Sequence, residues 1–420
     1  MSGTWPLVRL GYLCRLQSGL TVDSSRDLTG DVVTRPYLRV ANVQAGYIET
    51  ESVTEITVPR PIAARSTLRY GDVLMTEGGD LDKLGRGTVW RNELEGCLHQ
   101  NHVFALRTFR DRLDPQYLAL VTQSLYARHY FESTGTKTTN LASTNRSKIL
   151  DFPVPLPPLE EQQRIAGFLN GETSRIDRLV RMRNAQASLI KERQEAYLSS
   201  KSSSLISTHG EVRLRHVLLS IEQGWSPQCE DRLAEPGEWG VVRAGCINGG
   251  SFRMDQHKAL PAGVTPRKAY QLKGGDLLMS RASGSPDLIG SVGIVPEINQ
   301  NLLLCDKVYR LHINRLRMRE QFIAIMLRTR QVREHIKLGI SGAEGMANNL
   351  PTAVVRDCRL PNVPLAEQDI LVSAFNEHAA SVAAAQSALT QQLELLTERR
   401  QALITAAVTG QLDVTTAHGI

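Results

Sequence analysis

The string Pro158-Leu159-Glu160-Glu161-Gln162 recurs as Pro364-Leu365-Ala366-Glu367-Gln368, and a long segment without proline follows each copy. A proline-rich run, Pro153 to Pro158, leads into the first copy. Because proline lacks an amide donor and crowds the preceding turn, this run cannot be helical. The segments that follow carry apolar residues at helical intervals and acidic residues at their first positions, where the helix dipole favours negative charge. The strings therefore predict two long helices, one over residues 159–208 and one within residues 365–420, which also include a tail.

A second string returns at nearly the same offset, which indicates a duplicated unit. Gly71-Asp72-Val73-Leu74-Met75 is echoed by Gly275-Asp276-Leu277-Leu278-Met279, 204 residues later, and the proline-leucine strings lie 206 residues apart. Short runs typical of β-strands surround both copies, and helical stretches follow at 117–131 and 321–337. We predict an α+β fold with two similar globular domains in tandem, residues 1–158 and 209–364, separated by the two long helices.

Apolar residues in the long helices recur at steps of three, four and seven positions, which is typical of coiled coils. An antiparallel pair would place the two domains at opposite ends of a rod, and the alternative is that each helix packs on its own domain. We expect the rod, although Arg400 interrupts the second apolar stripe. The expected facing residues are Ile165, Leu169, Ile176 and Leu179 in the first helix and Leu389, Leu393, Leu396 and Leu403 in the second.

Composition excludes several classes of protein. The 420 residues include 49 Lys and Arg against 43 Asp and Glu, with 41% hydrophobic and 22% charged residues, which excludes a disordered, collagen-like or disulfide-stapled chain. The six cysteines stand singly, so we expect reduced, mostly buried thiols and no zinc site. No signal-peptide pattern or long apolar run is present, so we expect a cytoplasmic protein without a membrane segment. The net charge of +6 permits nucleic-acid binding without establishing it.

Catalytic and cofactor motifs are missing from the sequence. It contains no P-loop, dinucleotide fingerprint, nucleophile elbow, paired-histidine zinc motif or adenine methyltransferase motif. Asp80-Leu81-Asp82-Lys83 has the composition of a nuclease Mg²⁺ site, but the corresponding stretch near Asp287 keeps one carboxylate and no lysine. His99 and His102 are better explained by packing or hydrogen bonding than as metal ligands. The sequence therefore predicts a binding protein with no catalytic residue and no metal site.

Two polar loops in each copy are the candidate DNA-binding elements. A glycine-rich loop with basic residues follows each Gly-Asp string, and a second loop rich in Thr, Asn and Lys lies later in each copy. Such loops can present amides and basic side chains to phosphates and base edges, but each could equally be a solvated loop or a capped turn. Because the loops differ while the surrounding strings match, we expect two readers of two different targets. The candidate residues are Lys83, Arg86, Lys137, Thr138, Asn140, Arg281, Ser283, Ser285 and Asn348.

These strings resemble those of the specificity subunits of type I restriction-modification systems. The resemblance rests on the two Gly-Asp strings and, above all, on the proline-leucine string that twice leads into a long helix, and it covers nearly the whole chain. It implies that two target-recognition domains each read one half of a bipartite, asymmetric DNA sequence across the major groove. It also implies that the two helices form an antiparallel coiled coil that sets the unread spacer.

The resemblance further implies a set of partners: double-stranded DNA, two modification (methyltransferase) subunits docked on the helices, and restriction (translocase/nuclease) subunits. S-adenosylmethionine, ATP and Mg²⁺ are then expected on those subunits, with no cofactor on this chain. Asn362 and Val363 stand where the first string has prolines, so we expect a less rigid start to the second helix. The alternative hypotheses are a DNA methyltransferase or nuclease with unrecognised motifs, and a coiled-coil scaffold that does not bind DNA.

Overall fold

The computed structural model describes residues 5–23, 25–79, 84–85, 87–137, 142–341 and 348–415. The chain divides into two units, the first made of residues 1–184 and 390–420 and the second of residues 185–389. Each unit therefore contains one globular domain and a part of each long helix. No helix in the described ranges is both long and apolar enough to cross a membrane.

The first domain consists of short strands and short helices and leads into a long helix. Its strands are β1 (Leu7–Arg9), β2 (Cys14–Ser18), β3 (Val32–Leu38), β4 (Thr54–Pro59), β5 (Val73–Thr76), β6 (Gly78–Gly79), β7 (Gly87–Val89), β8 (Leu98–His99), β9 (Val103–Thr108), β10 (Thr136–Lys137), β11 (Ala142–Ser143) and β12 (Pro153–Pro155). Its helices are α1 (Arg60–Ser66), α2 (Pro115–Gln123), α3 (Leu125–Thr134) and α4 (Arg146–Leu150), and α5 (Leu159–His209) follows.

The central sheet of the first domain has the antiparallel strand order β2-β9-β5-β7. Because successive side chains of a strand point to opposite faces, β5 contributes to two cores. Val73 and Met75 join the core that includes residues of α2 and α3, whereas Leu74 joins a second core with Leu38 and Trp90. The second sheet, β4-β3-β8, contributes to that second core and to a smaller cluster of its own.

The second domain has the same kinds of element. Its strands are β13 (Glu211–Arg213), β14 (Leu218–Gln223), β15 (Trp239–Val242), β16 (His257–Ala259), β17 (Leu277–Ser280), β18 (Ala282–Ser283), β19 (Val292–Ile294), β20 (Asn301–Leu303), β21 (Val308–Ile313), β22 (Asn348–Asn349) and β23 (Arg359–Pro361). Its helices are α6 (Glu320–Met326), α7 (Arg330–Leu338) and α8 (Thr352–Asp357), and α9 (Leu365–Val408) follows.

The two domains share one topology. The sheet β14-β21-β17-β19 repeats β2-β9-β5-β7, and β16-β15-β20 repeats β4-β3-β8, with a parallel pair between β15 and β20 as between β3 and β8. Each of the helical stretches predicted at 117–131 and 321–337 consists of two helices. In the first copy Ser124 separates α2 from α3, because its Oγ accepts a hydrogen bond from the Ala127 amide at 3.2 Å and caps α3. The α+β fold and the tandem duplication predicted from the sequence are confirmed.

The repeated Gly-Asp string forms a turn that fixes the central strand β5. Gly71 has a φ of +89°, in the left-handed region that glycine adopts without strain. The Asp72 carboxylate accepts a hydrogen bond from the Arg69 amide at 2.8 Å and pairs with Arg107 of β9 at 2.7 Å. The string is therefore structural, since it ties the turn to the neighbouring strand.

The second copy repeats the turn before β17, but its arginine comes from a different position of the neighbouring strand. Gly275 has a φ of +86°, and the Asp276 carboxylate accepts from the Lys273 amide at 2.9 Å. Arg310 of β21 pairs with Asp276 at 3.0 Å and with Glu222 of β14 at 2.6 Å. The Arg310 side chain is 8% exposed and therefore more deeply buried than that of Arg107, whereas Asp276 is more exposed than Asp72.

At the start of the first long helix, Gln162 of the proline-leucine string is hydrogen-bonded to the domain. Its side chain is fully buried, accepts a hydrogen bond from the Asp114 amide at 2.9 Å, and donates to the carbonyls of Arg112 and Pro157, both at 2.9 Å. The glutamine thus satisfies backbone groups just before α2 and just before α5. This explains why the string stands at the start of the helix.

Gln368 has the same role in the second copy. It accepts from the Arg319 amide at 2.8 Å and donates to the Val363 carbonyl at 2.7 Å. The Asn362 amide donates to the Gly210 carbonyl, and β13 pairs with β23 as β1 pairs with β12. By this pairing Asn362 corresponds to Leu156, not to a proline, so the comparison behind the expected loose start of the second helix was partly wrong.

In the first unit, the start of α5 runs antiparallel to the end of α9. The Tyr117 hydroxyl donates to the carbonyls of Pro155 at 2.8 Å and Val408 at 3.2 Å, and further along the pair Arg400 forms an ion pair with Asp177 at 3.3 Å. Residues near the start of α5 therefore lie beside the end of α9, and residues later in α5 lie beside earlier residues of α9, as in an antiparallel pair. Arg400, which interrupts the apolar stripe, has an acidic partner on the facing helix.

The second unit has the same antiparallel arrangement between the end of α5 and the start of α9. His209 lies 3.3 Å from Glu367. The Tyr197 ring contacts the rings of Phe375 and His378, with centroid distances of 6.1 and 4.1 Å. Each domain thus packs against the helix that follows it and against a part of the other helix.

The predicted stripe residues have different environments. Ile165 and Leu169 are fully buried in the core of the first domain together with Ile404 and Ala407, so packing on the domain and pairing of helices occur at the same place. Leu179, however, is 39% exposed, so it is not enclosed in a helix seam, and its expected position facing the second helix stays a prediction. The remaining predicted positions are buried or half-buried, namely Ile176, Leu389, Leu393, Leu396 and Leu403.

Candidate nucleic-acid interface

The candidate loops of the first domain meet in a small sheet beyond the end of β5. Strand β11 pairs with β6 on one side and with β10 on the other, so Ser143 lies opposite both Gly78 and Thr136. The described ends of the glycine-rich loop and of the Thr-Lys-Asn loop, which were proposed separately, therefore lie in one sheet. We call β6-β11-β10 and its equivalent in the second domain, β18-β22, the recognition sheets.

The recognition sheet of the second domain brings two of the candidate residues together. Ser283 of β18 lies opposite Asn348 of β22, and Ser341 forms a further bridge with Asn349. Ser283 Oγ also accepts a hydrogen bond from the Ser285 amide at 3.2 Å. Three of the predicted site residues are thus neighbours on one polar, half-buried surface.

Arg281 stands at the start of this sheet. Its guanidinium donates to the Asp306 carbonyl at 3.2 Å and is only partly buried. Because a backbone carbonyl is neutral, this hydrogen bond does not neutralise the positive charge of Arg281. It remains a predicted DNA contact.

Most of the first-domain candidates lie outside the described residues. These are Lys83, Arg86, Thr138 and Asn140, together with the Asp80 and Asp82 of the suspected Mg²⁺ site. Lys137 pairs in register with Ala142.

One correspondence drawn from the sequence was wrong. The stretch ending in Asn348 and Asn349 was compared with the Thr136–Asn140 loop, but by strand pairing Asn348 corresponds to Ala142 and Asn349 to Ser143. Thr136 corresponds to Ser341. Local composition could not set this register, because the pairing is made with strands about sixty residues earlier in the chain.

The described residues offer little for catalysis. They contain no cluster of His, Cys, Asp or Glu that could hold a metal ion. All six cysteines are free, and burial raises the pKa of Cys14 and Cys358 to about 12, which suppresses the thiolate. Burial also lowers the pKa of His99, whose Nδ1 lies 2.7 Å from the Val103 carbonyl, so this imidazole is a neutral structural group.

Sequence comparison relates the chain to DNA-specificity proteins. Residues 3–188 match the family model described as the type I restriction modification DNA specificity domain. The chain is 25% identical over 159 residues to the putative type I restriction enzyme MjaX specificity subunit of Methanocaldococcus jannaschii, covering 37% of this chain and 36% of that protein. It is also 25% identical over 167 residues to the EcoEI specificity subunit of Escherichia coli, covering 39% and 28% respectively. The alignments therefore span well under half the length of these relatives.

Structural comparison extends the likeness to the whole fold. A chain solved in a study of complex assembly and conformational transition of the type I R-M system matches with a TM-score of 0.73 at 19% identity, over 97% of this chain and 98% of that one. At this identity the match shows a shared fold.

Proposed function

We propose, from the premise that the chain belongs to the specificity subunits of type I restriction-modification systems, that it is the DNA-recognition subunit of such a complex. Each domain reads one half of a bipartite, asymmetric target through its recognition sheet. The observation that carries this proposal is that two domains with the same strand order in their two main sheets have different residues at equivalent positions of the recognition sheets. A shared scaffold with different reading residues is what two different half-sites require.

The long helices serve two purposes in this proposal. They dock two modification subunits, and their length sets the unread spacer between the half-sites. The exposed polar faces of α5 and α9 leave surface for such partners, and both helices take part in the antiparallel pairing in each unit. Restriction subunits join the same complex in the cytoplasm.

The chain itself has no catalytic part in this proposal. S-adenosylmethionine, ATP and Mg²⁺ bind to the modification and restriction subunits, and this chain recognises the target sequence. Support comes from the missing catalytic motifs in the sequence and from the buried, weakly acidic thiols. Purified alone with DNA, Mg²⁺ and S-adenosylmethionine, the chain should neither methylate nor cleave; activity that survives repurification would contradict this part.

Methylome sequencing tests the whole proposal. The chain is co-expressed with its modification subunit in a host that lacks other adenine methylation, and methylated adenines are mapped. We expect one asymmetric motif made of two short specified parts and an unspecified spacer. A single uninterrupted motif, or no methylation from a complex shown to assemble, would contradict it. In parallel, Lys83→Ala, Arg86→Ala and Arg281→Ala are assayed for binding to matched and mismatched duplexes; unchanged affinity and selectivity in all three would remove these residues from the interface.

A further inference from the structure

Glu77 occupies a defined position between the central strand and the recognition sheet of the first domain. Its amide donates to the His102 carbonyl at 2.8 Å, and its carbonyl accepts from the Thr144 amide at 2.7 Å. These bonds fix the backbone on both sides of the residue. The carboxylate remains about one-quarter exposed, with Oε2 lying 2.5 Å from His102 Nδ1.

Arg281 occupies the same position in the second domain. Its amide donates to the Lys307 carbonyl and its carbonyl accepts from the Leu350 amide, both at 2.9 Å. The residues that follow are equivalent too. Gly78 lies opposite Ser143 in the first recognition sheet, and Ala282 lies opposite Asn349 in the second. The backbone of the two copies is thus the same at a point where the side chains carry opposite charges.

The inversion contrasts with the nearby Gly-Asp turn. A few residues earlier, the aspartate of the Gly-Asp turn keeps its charge in both copies and pairs with an arginine in each, although Arg107 and Arg310 lie at different positions of the equivalent strands. The neighbouring position changes as well, from the His102 imidazole to the exposed Lys307. A purely structural residue in this frame would be expected to remain similar, as the Gly-Asp turn does.

We propose that position 77/281 is a specificity-determining position in both domains, with Glu77 reading an amino group and Arg281 reading a guanine. A carboxylate only accepts hydrogen bonds and therefore selects the N4 amino group of cytosine, whereas a guanidinium only donates and selects O6 and N7 of guanine. His102 is a positioning residue that orients the Glu77 carboxylate. This inference rests on the proposed function, because it assigns part of the target to each domain.

The test is a pair of matched substitutions in the complete complex with its modification subunit. Glu77→Gln replaces an acceptor by an amide that pairs with adenine, and Arg281→Gln does the same in the second domain. Glu55→Gln on β4 and Arg356→Gln on α8, which are exposed residues of the same types, are the controls. The methylome of each variant is compared with that of the natural protein.

We expect Glu77→Gln to change one position of one half-site, from cytosine towards adenine, with discrimination reduced roughly 10- to 100-fold. Arg281→Gln should change one guanine of the other half-site, and the controls should leave the motif unaltered. An unchanged motif, or a uniform fall in methylation at all sites, would overturn the inference. If a variant gives no methylation, competition binding with duplexes altered at each position provides the readout, and preferences equal to those of the natural complex overturn it. A natural complex without a bipartite motif would instead contradict the proposed function.

Discussion

The side-chain oxygen of Gln162 accepts a hydrogen bond from the backbone amide of Asp114 at 2.9 Å. The bond joins the start of α5 to the residue that caps α2, since the Asp114 carboxylate accepts from the Gln116 and Tyr117 amides. The orientation of the long helix on its domain therefore depends on a buried, fully satisfied amide.

Replacing Gln162 by leucine should destabilise the first unit. The substitution keeps the approximate volume but leaves one amide and two carbonyls without their partner, at a cost of about 1–3 kcal/mol in the free energy of unfolding. Urea-induced unfolding measures the change. Gln163→Leu is the control because Gln163 is exposed on the same helical turn. Equal stability of the two variants would show that the helix start is held by other contacts.

Replacing Arg310 by methionine should destabilise the protein more than Arg107→Met. Removing the buried guanidinium leaves Asp276 and Glu222 without their cation, and breaking such a pair costs about 3–5 kcal/mol. Arg107→Met removes the partner of one carboxylate, Asp72, whereas Arg310→Met also leaves the carbonyls of Gln271 and Ala269 without their donor. Urea unfolding of both variants ranks the two ion pairs. The reverse order would show that the deep burial of Asp72, whose side chain is 2% exposed, outweighs the larger number of bonds that Arg310 makes.

Stability should fall in mild acid because of His99. Burial holds the pKa of His99 below its ordinary value of about 6.5, so the unfolded chain binds the proton more readily. This contribution is fully present above about pH 6.5 and is lost as the pH falls below that value. We expect His99→Gln to flatten the pH dependence of the melting temperature between pH 7 and pH 5, whereas His129→Gln, at an exposed site, should leave it unchanged. Identical profiles for both variants would assign the acid sensitivity to other groups.

Lengthening both long helices should lengthen the unread spacer. Four residues are inserted after Asn184 in α5 and after Leu389 in α9, where the two units divide. At 1.5 Å per residue the insertion adds about 6 Å and close to one helical turn, which equals about two base pairs of B-DNA at roughly 3.4 Å each. The methylated motif should keep both half-sites and gain about two unspecified base pairs between them. A two-residue insertion, which rotates one end by about 200°, should abolish recognition. An unchanged spacer in the four-residue variant would contradict the role of the helices as a ruler.

The parts of the structure that local chemistry dictates could be predicted from the sequence. Prolines before residue 159 exclude helix and a long segment without proline permits it, so α5 begins at Leu159 as expected. The environment of Leu179 could not be predicted, because a helical period does not say which turns of a stripe meet another element. The pairing of Ser283 with Asn348 was equally hidden, since register between distant strands is a tertiary property.

The equivalence of Glu77 and Arg281 was accessible but was missed. Both follow a repeated Leu-Met pair by the same distance, so aligning the two copies residue by residue would have placed them together. Basic residues in glycine-rich loops are typical of DNA contacts, which points to Arg281 and not to the acidic Glu77. The signal that finds such a position is an inverted charge where the backbone hydrogen bonds are the same in both copies.

Exchange of the first recognition domain tests the central claim, that each domain reads one half of the target, most directly. Residues 7–158 are replaced by the corresponding segment of a relative with a different target, and the methylome of the hybrid complex is sequenced. The account predicts that one half of the motif changes to that of the relative while the other half and the spacer stay the same. A change in both halves, or in neither half of a motif that is still methylated, would contradict it.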